Sequence, residues 1–235
     1  MLTLYSYPEL FGVVDNNPFG LKVYAFLKLC GRSRLPASAY SDASSAPHGQ
    51  LPYLLDGTQV IDDSDTIIEH VVRKLGLDTE GVPSPRNESL DLLLRRTLDD
   101  LYWPMSYSRW RDDRFWPAFR DALLTRHPDI SVNDLDRARE YNRLRYHYQG
   151  IGRYEPDRVY ARGIEDLRAV ADLLDERQFW HGEVPSGTDA AIYGFIANIF
   201  FYDIETPLKQ YVQSRPNLLR HCLAMHDRVN GVRSS

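Results

Sequence analysis

The stretch from Gly49 to Ser64 constrains the fold more than any other part of the chain. It holds two short apolar runs joined at Asp56-Gly57, a pair that predicts a β-hairpin because both residues tolerate the positive φ of a type I′ turn. Pro52 stands at the entrance of the first strand, where a missing N–H is tolerated. Ser64 is the predicted N-cap of a helix. The apolar positions of that helix are Ile67, Ile68, Val71, Val72 and Leu75.

The same stretch predicts two groups that are able to bind a ligand. A residue before proline has an extended backbone, so the N–H and C=O of Leu51 are left to pair with something else. The helix that starts at Ser64 presents free backbone amides and the positive end of its dipole, which stabilise a carboxylate. One short segment therefore offers an unpaired strand edge and an anion site.

The first 76 residues predict a small α/β domain. Leu2–Tyr7 alternates and carries aromatic residues, which indicates a strand, and a weaker strand is predicted over residues 35–40. Asn17-Pro18 opens a helix, with Asn as N-cap and Pro at the first helical position. With the hairpin and the helix after it, the order is β-α-β-loop-β-β-α, which is that of a thioredoxin-like domain ending near Gly76.

Residues 77–87 are polar and contain prolines, which predicts a linker to an all-helical domain over residues 88–235. Apolar periodicity predicts helices at residues 88–111, 114–127, 132–149, 157–177, 187–203 and 216–229. Ser186 and Asp189 predict a capping box at the start of the helix over 187–203.

The order and spacing of these motifs resemble the glutathione S-transferases. That family joins a thioredoxin-like α/β N-terminal domain to an all-α C-terminal domain. The resemblance implies that Pro52 is cis and that the backbone of Leu51 pairs with the cysteinyl part of glutathione. It also implies that Asp63 and Ser64 hold the γ-glutamyl end. Gln50 stands where relatives often carry a residue for the glycyl end.

Two further segments narrow the resemblance to one branch of the superfamily. Residues 101–110, rich in Tyr and Trp, and residues 17–22, Asn-Pro-Phe-Gly-Leu-Lys, are similar to failed-axon-connections proteins and, more distantly, to metaxins. Lys22 in the second segment can add a positive field, but we predict that it lies on a solvated helix face.

The resemblance implies an enzyme that activates the thiol of glutathione for attack on a hydrophobic electrophile, typically in detoxification. A free thiol has a pKa of about 8.5, so the protein must stabilise the thiolate near neutral pH. The family's Ser or Cys donor corresponds here to Asn17, whose amide is a weaker donor. An N-cap uses the side-chain oxygen and leaves the NH2 free, so both roles are compatible. Tyr7 is the alternative donor, as in Tyr-type relatives.

An aromatic segment early in the helical domain is the predicted contact for the second substrate. Its candidates are Tyr102, Trp103, Tyr107 and Trp110. Aromatic rings form an apolar wall with polar edges that suits a planar electrophile, although core packing also explains such residues. Arg109 in this segment either pairs with Asp112 or Asp113 as a buried arginine, or binds a substrate carboxylate.

Composition and charge exclude several classes of function. A net charge of −5 gives no electrostatic basis for nucleic-acid binding. No apolar run is long enough to cross a bilayer, and the N-terminus lacks the pattern of a signal peptide. Cys30 and Cys222 are predicted to be reduced, buried thiols of a cytoplasmic protein. No histidine has metal-ligand spacing with cysteine or acidic partners, so no metal is expected.

The resemblance also implies a homodimer, in which the thioredoxin-like domain of one chain faces the helical domain of the other. Its partners are then glutathione and a small electrophile, with no nucleic acid and no membrane insertion. The alternative hypothesis is a non-catalytic binding or scaffold protein of the same fold, like the metaxins. Asn17 in place of a hydroxyl or thiol favours that alternative, whereas the Leu51-Pro52 and Asp63-Ser64 pairs favour the enzyme.

Overall fold

The computed structural model describes residues 2–31, 39–40, 46–77 and 85–231, and within them a four-stranded sheet precedes a series of helices. The strands are β1 (Leu2–Ser6), β2 (Ala39–Tyr40), β3 (Tyr53–Asp56) and β4 (Gln59–Asp62). Their order in the sheet is β2-β1-β3-β4. β1 is parallel to β2 and antiparallel to β3, and β3 is antiparallel to β4.

Two helices belong to the same domain as the sheet, α1 (Pro18–Leu29) and α2 (Ser64–Leu75). The helical domain contains α3 (Pro85–Trp110), α4 (Trp116–Arg126), α5 (Val132–Gln149), α6 (Pro156–Leu174), α7 (Gly187–Phe200), α8 (Pro207–Gln213) and α9 (Pro216–Asn230). The prediction of a thioredoxin-like α/β domain followed by an all-α domain is confirmed.

The predicted hairpin is confirmed, but its turn lies one residue later than expected. Asp56 pairs with Gln59, so the turn residues are Gly57 and Thr58 rather than Asp56 and Gly57. Of the two, only Gly57 has a positive φ, which is typical of a type II′ rather than a type I′ turn. In the predicted second strand, residues 35–38 lie outside the described residues, and the remainder forms β2.

The helices α3 to α7 and α9 match the predicted helical segments to within a few residues at each end. Helix α8 is absent from the prediction, because its seven residues are too few to show apolar periodicity. Its start carries a local signal, since Thr206 caps it and Pro207 is its first residue. The linker at residues 77–87 stays a prediction, because residues 78–84 lie outside the described part of the chain.

Helix α7 is the centre of the helical domain, and its backbone contacts α1 of the sheet domain. All of its residues from Thr188 to Ile199 are buried. A Cβ atom at Gly194 would lie 2.5 Å from the carbonyl oxygen of Pro18 and 3.0 Å from the backbone nitrogen of Lys22. Because only glycine permits this approach, the α1 backbone lies directly on α7.

The predicted capping box at the start of α7 is confirmed, and its carboxylate makes contacts beyond the box. Asp189 Oδ2 accepts hydrogen bonds from the N–H and hydroxyl of Ser186 at 2.8 and 2.7 Å. Its Oδ1 accepts from the N–H of Trp180 at 2.7 Å and lies 2.9 Å from Nε2 of His221. Burial acts to raise the pKa of Asp189, but the contact with His221 and the backbone N–H groups outweigh it and lower that pKa.

Asp189→Asn is expected to lower the free energy of unfolding by about 3 kcal/mol, because an amide NH2 would face hydrogen-bond donors at a fully buried position. The stabilisation by the ionised carboxylate is present above about pH 4, near the unfolded pKa. It is lost as the pH falls through the lowered pKa of the folded state. Urea titrations of the parent and the variant, at neutral pH and at about pH 3, measure both effects.

Asp203→Asn, at an exposed position beyond the end of α7, is the matched control and is expected to change the stability by less than about 0.5 kcal/mol. Equal stability of the parent and Asp189→Asn at neutral pH would contradict the role given to the buried carboxylate.

Candidate functional site

A cavity of about 250 Å³ lies where the hairpin, the start of α2 and the start of α1 meet. Its lining residues are Phe19, Pro47, His48, Gln50, Leu51, Pro52, Asp62, Asp63 and Ser64. The structure therefore brings together all five residues that the sequence assigned to glutathione. We call this the hairpin cavity.

One wall of the hairpin cavity is the backbone ahead of β3. The Leu51–Pro52 peptide bond is cis, as the family resemblance implied. Both residues are buried, and β3 begins only at Tyr53. The N–H and C=O of Leu51 make no hydrogen bond to any other described residue. This backbone is therefore available to a ligand in the hairpin cavity.

The opposite wall is the start of α2, and here the structure corrects the prediction of the N-cap. Asp63, not Ser64, is the cap: its Oδ1 accepts the N–H groups of Asp65 at 2.9 Å and Thr66 at 3.1 Å. Ser64 is the first helical residue and is buried. Asp and Ser are both good caps, so residue type alone does not choose between neighbours. The positive φ of Asp63, +63°, decides the geometry and is not visible in the sequence.

Lys22 contacts this wall from α1, contrary to the prediction of a solvated position. It is 5% exposed, and its Nζ lies 3.2 Å from Oγ of Ser64. The ammonium also forms an ion pair with Asp65 in the first turn of α2. A signal was present in the sequence, because Lys22 lies between Leu21 and Val23 in an otherwise apolar part of α1.

Asn17 caps α1 as predicted. Its Oδ1 accepts the N–H of Phe19 at 3.0 Å, and its own N–H donates to Oδ1 of Asp15 at 2.8 Å. Its side-chain NH2 makes no hydrogen bond within the described part of the chain. The capping role thus leaves the amide donor free, while Phe19 beside it lines the hairpin cavity.

Arg109 and Asn198 hold the loop before α1 from the helical domain, and we call the pair the loop clamp. The guanidinium of Arg109 donates to the carbonyl of Asn16 and to the carbonyl and Oδ1 of Asn198, the latter two at 2.9 and 3.0 Å. Asn198 Nδ2 in turn donates to the carbonyl of Asp15 at 3.2 Å. Arg109 is 5% exposed, so it is a buried arginine that binds backbone carbonyls.

The predicted partners of Arg109 are engaged elsewhere, which corrects that prediction. Asp112 pairs with Arg114 at 2.7 Å and Asp113 pairs with Arg139.

Below the loop clamp, the carboxylate of Asp15 is buried against the first turn of α1. A Cβ atom at Gly20 would lie 1.6 Å from Oδ2 of Asp15 and 2.3 Å from Oγ of Ser6. Burial raises the pKa of Asp15 well above its usual range, although the N–H of Asn17 and the charge of Arg109 oppose the shift. The loop that carries Asn17 is thus fixed by a buried polar cluster.

Tyr7 lies apart from the hairpin cavity. It lines a second cavity of about 360 Å³ between the β1–α1 loop and the connection from α4 to α5. The other residues around that cavity are Pro8, Glu9, Val14, His127, Asp129 and Ile130. Of the two candidate thiol donors, Asn17 is the one next to a residue of the hairpin cavity.

The aromatic candidates for the second substrate divide into two groups. Tyr102 packs on Phe19, with ring centroids 5.3 Å apart, and Trp103 packs on Tyr102 at 5.6 Å. This pair therefore reaches the hairpin cavity through Phe19. Tyr107 is 3% exposed and packs on Tyr146 in the core, so its contact with a substrate stays a prediction.

Trp110 belongs with the core residues as well. It packs against Trp116 and Phe119 in a separate apolar cluster, with ring centroids 5.6 and 5.2 Å apart. The periodicity of α3 does not show which of its aromatic residues face the core, because Trp103, Tyr107 and Trp110 lie within about 60° of one another around the helix.

Two observations concern other kinds of site. Within residues 2–31, 46–77 and 85–231, no three His, Cys, Asp or Glu side chains are grouped so that they would hold a metal ion. No helix in the described ranges combines the length and the apolar character needed to span a membrane.

Comparison with known proteins agrees with this geometry. Residues 18–115 match the family model of the glutathione S-transferase N-terminal domain, and residues 163–225 match that of the C-terminal domain. Over 232 residues the chain is 32% identical to the isoprene-epoxide–glutathione S-transferase of Rhodococcus sp. (strain AD45), covering 93% of this chain and 95% of that protein. The chain belongs to the glutathione S-transferase family.

Other relatives of this transferase-family chain fall in the predicted branch. Failed axon connections of Drosophila melanogaster is 24% identical, over 97% of this chain and 58% of that protein. Metaxin-2 of Mus musculus is 20% identical, over 89% of this chain and 81% of that protein. A glutathione S-transferase of Methylobacterium radiotolerans, solved in complex with glutathione sulfonate, superposes with a TM-score of 0.61 at 18% identity, covering 97% and 91% of the two chains.

Gly20→Ala is expected to destabilise this transferase-family protein by about 2 kcal/mol, because the new methyl group would overlap the Asp15 carboxylate. Helix propensity alone would predict the opposite change in stability, because it favours Ala over Gly by about 1 kcal/mol in a helix interior. Thermal and urea unfolding of the two proteins measure the difference.

Gly187→Ala is the matched control, since a Cβ there would meet the Phe26 ring at an ordinary contact distance of 3.5 Å. We expect it to be neutral or slightly stabilising. A Gly20→Ala variant as stable as this control would contradict the close contact between Gly20 and the Asp15 carboxylate.

Proposed function

We propose that the protein binds glutathione in the hairpin cavity and adds its thiol to a small apolar electrophile. The observation that carries this proposal is that the free Leu51 backbone and the start of α2 at Ser64 line the same cavity. A tripeptide with a terminal carboxylate needs both elements, one for its main chain and one for its charge.

Each part of glutathione has a partner in the proposed complex. The N–H and C=O of Leu51 pair with the cysteinyl main chain. The hydroxyl of Ser64 and the amides of α2 bind the γ-glutamyl carboxylate. Asp63 uses Oδ1 for capping and keeps Oδ2 for the γ-glutamyl amine. Gln50 binds the glycyl end.

We assign thiol activation to the side-chain NH2 of Asn17 and the positive end of the α1 dipole. Both favour the thiolate over the thiol. Tyr7 remains the second candidate, although it lines the other cavity. The pair Tyr102 and Trp103, which reaches the hairpin cavity through Phe19, forms the wall for the electrophile.

The class of electrophile that we propose is an epoxide, because the relative at 32% identity is named for an epoxide. In the reaction, the sulfur of the thiolate forms a bond to a ring carbon and the carbon–oxygen bond of the ring breaks. The oxygen leaves as an alkoxide and takes a proton from water, which gives a hydroxyalkyl thioether.

We further propose a cytoplasmic homodimer. Reduced glutathione and the buried thiol of Cys222 fit a reducing compartment. Exposed apolar side chains on β4 and α3, namely Val60, Leu92 and Leu93, are consistent with self-association.

Calorimetric titration with reduced glutathione is expected to show saturable binding, weakened about tenfold or more in Ser64→Ala, because a hydrogen bond to a charged carboxylate is lost. Ser214→Ala removes an exposed hydroxyl bonded only to its own helix and is expected to bind like the parent. If the parent fails to bind millimolar glutathione, the enzyme proposal is wrong, and the scaffold alternative of the metaxin-like relatives takes its place.

Substitutions of Asn17 test thiol activation. Asn17→Ala is expected to lower kcat more than glutathione affinity and to cost about 1 kcal/mol of stability through the lost cap. Asn17→Asp keeps the capping oxygen but removes the NH2 donor, so it is expected to lose turnover while remaining stable. Steady-state kinetics with a model epoxide and urea unfolding separate the two effects.

Tyr7→Phe is measured alongside as the test of the second candidate. Full activity in both Asn17 variants together with a large loss in Tyr7→Phe would transfer the donor role to Tyr7.

A further inference from the structure

Lys22 is the one buried lysine ammonium that reaches the hairpin cavity wall within the described residues. Buried lysines occur almost only where the charge is paired. Here the pairing is with Asp65, whose side chain is 40% exposed. Among the described residues, the other hydrogen-bond partner of the ammonium is Oγ of Ser64, at 3.2 Å.

The direction of that hydrogen bond is fixed by chemistry. An ammonium group has three donors and no acceptor, so Ser64 Oγ must accept from Lys22. A serine hydroxyl has a single hydrogen, and this hydrogen is then free to donate to another group. Ser64 therefore presents a donor to the hairpin cavity rather than an acceptor.

We infer that Lys22 is a positioning residue that polarises Ser64 and thereby makes this end of the cavity selective for a carboxylate. The inference rests on the proposed function, because the carboxylate is that of the γ-glutamyl end. Selection against a ligand that lacks this carboxylate then depends on Lys22, which is 42 residues away from Ser64 in the chain.

The acids around Lys22 belong to α2 and to the residues just before it. Asp65 lies between two cations, Lys22 and Arg95, whose Nε is 3.9 Å from the other carboxylate oxygen. Asp62 and Asp63 line the hairpin cavity next to Ser64. Without the ammonium of Lys22 these acids would repel a ligand carboxylate, so binding of a carboxylate at this end depends on Lys22.

The position of Lys22 is set by the contact between α1 and α7. A Cβ atom at Gly194 would lie 3.0 Å from the backbone nitrogen of Lys22 and 3.2 Å from its Cβ. The base of the side chain is thus fixed against a helix backbone. Its length then carries the ammonium across to Ser64.

The test compares glutathione with 4-aminobutyryl-cysteinyl-glycine, which lacks only the γ-glutamyl carboxylate. In the parent, calorimetry is expected to show about tenfold or more weaker binding of the analogue. In Lys22→Met, which has a similar volume but no donor, glutathione binds more weakly and the ratio between the two ligands falls below about threefold. In steady-state kinetics the KM for glutathione rises, while kcat at saturation stays within about twofold.

Two variants serve as controls. Lys28→Met removes a lysine from the last turn of the same helix and is expected to keep the full ratio. Lys22→Arg keeps a cation that can only donate hydrogen bonds, and it is expected to retain most of the affinity ratio between glutathione and the analogue. If circular dichroism shows that Lys22→Met does not fold, Lys22→Gln takes its place, because an amide no longer forces Ser64 to accept.

The outcomes separate this inference from the function on which it rests. Binding of glutathione with the same ratio in the parent and in the Lys22 variant overturns the role of Lys22 alone. A parent that binds neither ligand overturns the proposed function and this inference together.

Discussion

The backbone contact between α1 and α7 at Gly194 is the constraint on which the arrangement of the site depends. Any side chain at Gly194 would collide with the carbonyl of Pro18. Helix α1 carries Asn17 at its cap, Phe19 in the cavity wall and Lys22 beneath Ser64. The helical domain thus fixes where three groups of the thioredoxin-like domain are placed, although the described residues that line the hairpin cavity all belong to the thioredoxin-like domain.

The loop clamp fixes the position and rotation of α1 on α7. Apolar packing alone would let α1 slide or rotate on α7, because dispersion is not directional. Arg109 and Asn198 instead bind the carbonyls of Asn16 and Asp15, so the loop before α1 has one register. A buried guanidinium is costly unless its donors are satisfied. The backbone carbonyls of Asn16 and Asn198 and the Tyr202 ring, 5.0 Å away, offset part of that cost, while Nε of Arg109 has no hydrogen-bond partner among the described residues.

Local signals in the sequence were enough to predict most of the fold. The Asn17-Pro18 cap, the hairpin and the box of Ser186 and Asp189 each depend on residues within a few positions of one another. All five residues assigned to glutathione line one cavity, because the spacing from Pro52 to Ser64 spans a single hairpin.

The features that the sequence did not predict depend on long-range contacts or on backbone angles. Arg109 meets Asn16 across 93 positions, and Lys22 meets Ser64 across 42, and neither pairing leaves a local pattern. The cap at Asp63 depends on a positive φ that residue type does not reveal. Tyr107 and Tyr102 lie on one helix, and only packing separates the core residue from the one that contacts Phe19.

Some of these contacts hold the fold together and others are needed only by a ligand, and this difference bears on whether the chain is an enzyme or a scaffold. A scaffold of this fold needs the α1–α7 contact and the loop clamp, because these hold the two domains together. It also needs the Asp189 box, which stabilises the helical domain itself. It does not need Lys22, since a methionine would fill the same volume without the cost of burying an ammonium. A buried lysine directed at Ser64, in a cavity whose other wall is the unpaired Leu51 backbone, has a physical reason when that cavity binds a peptide with a carboxylate.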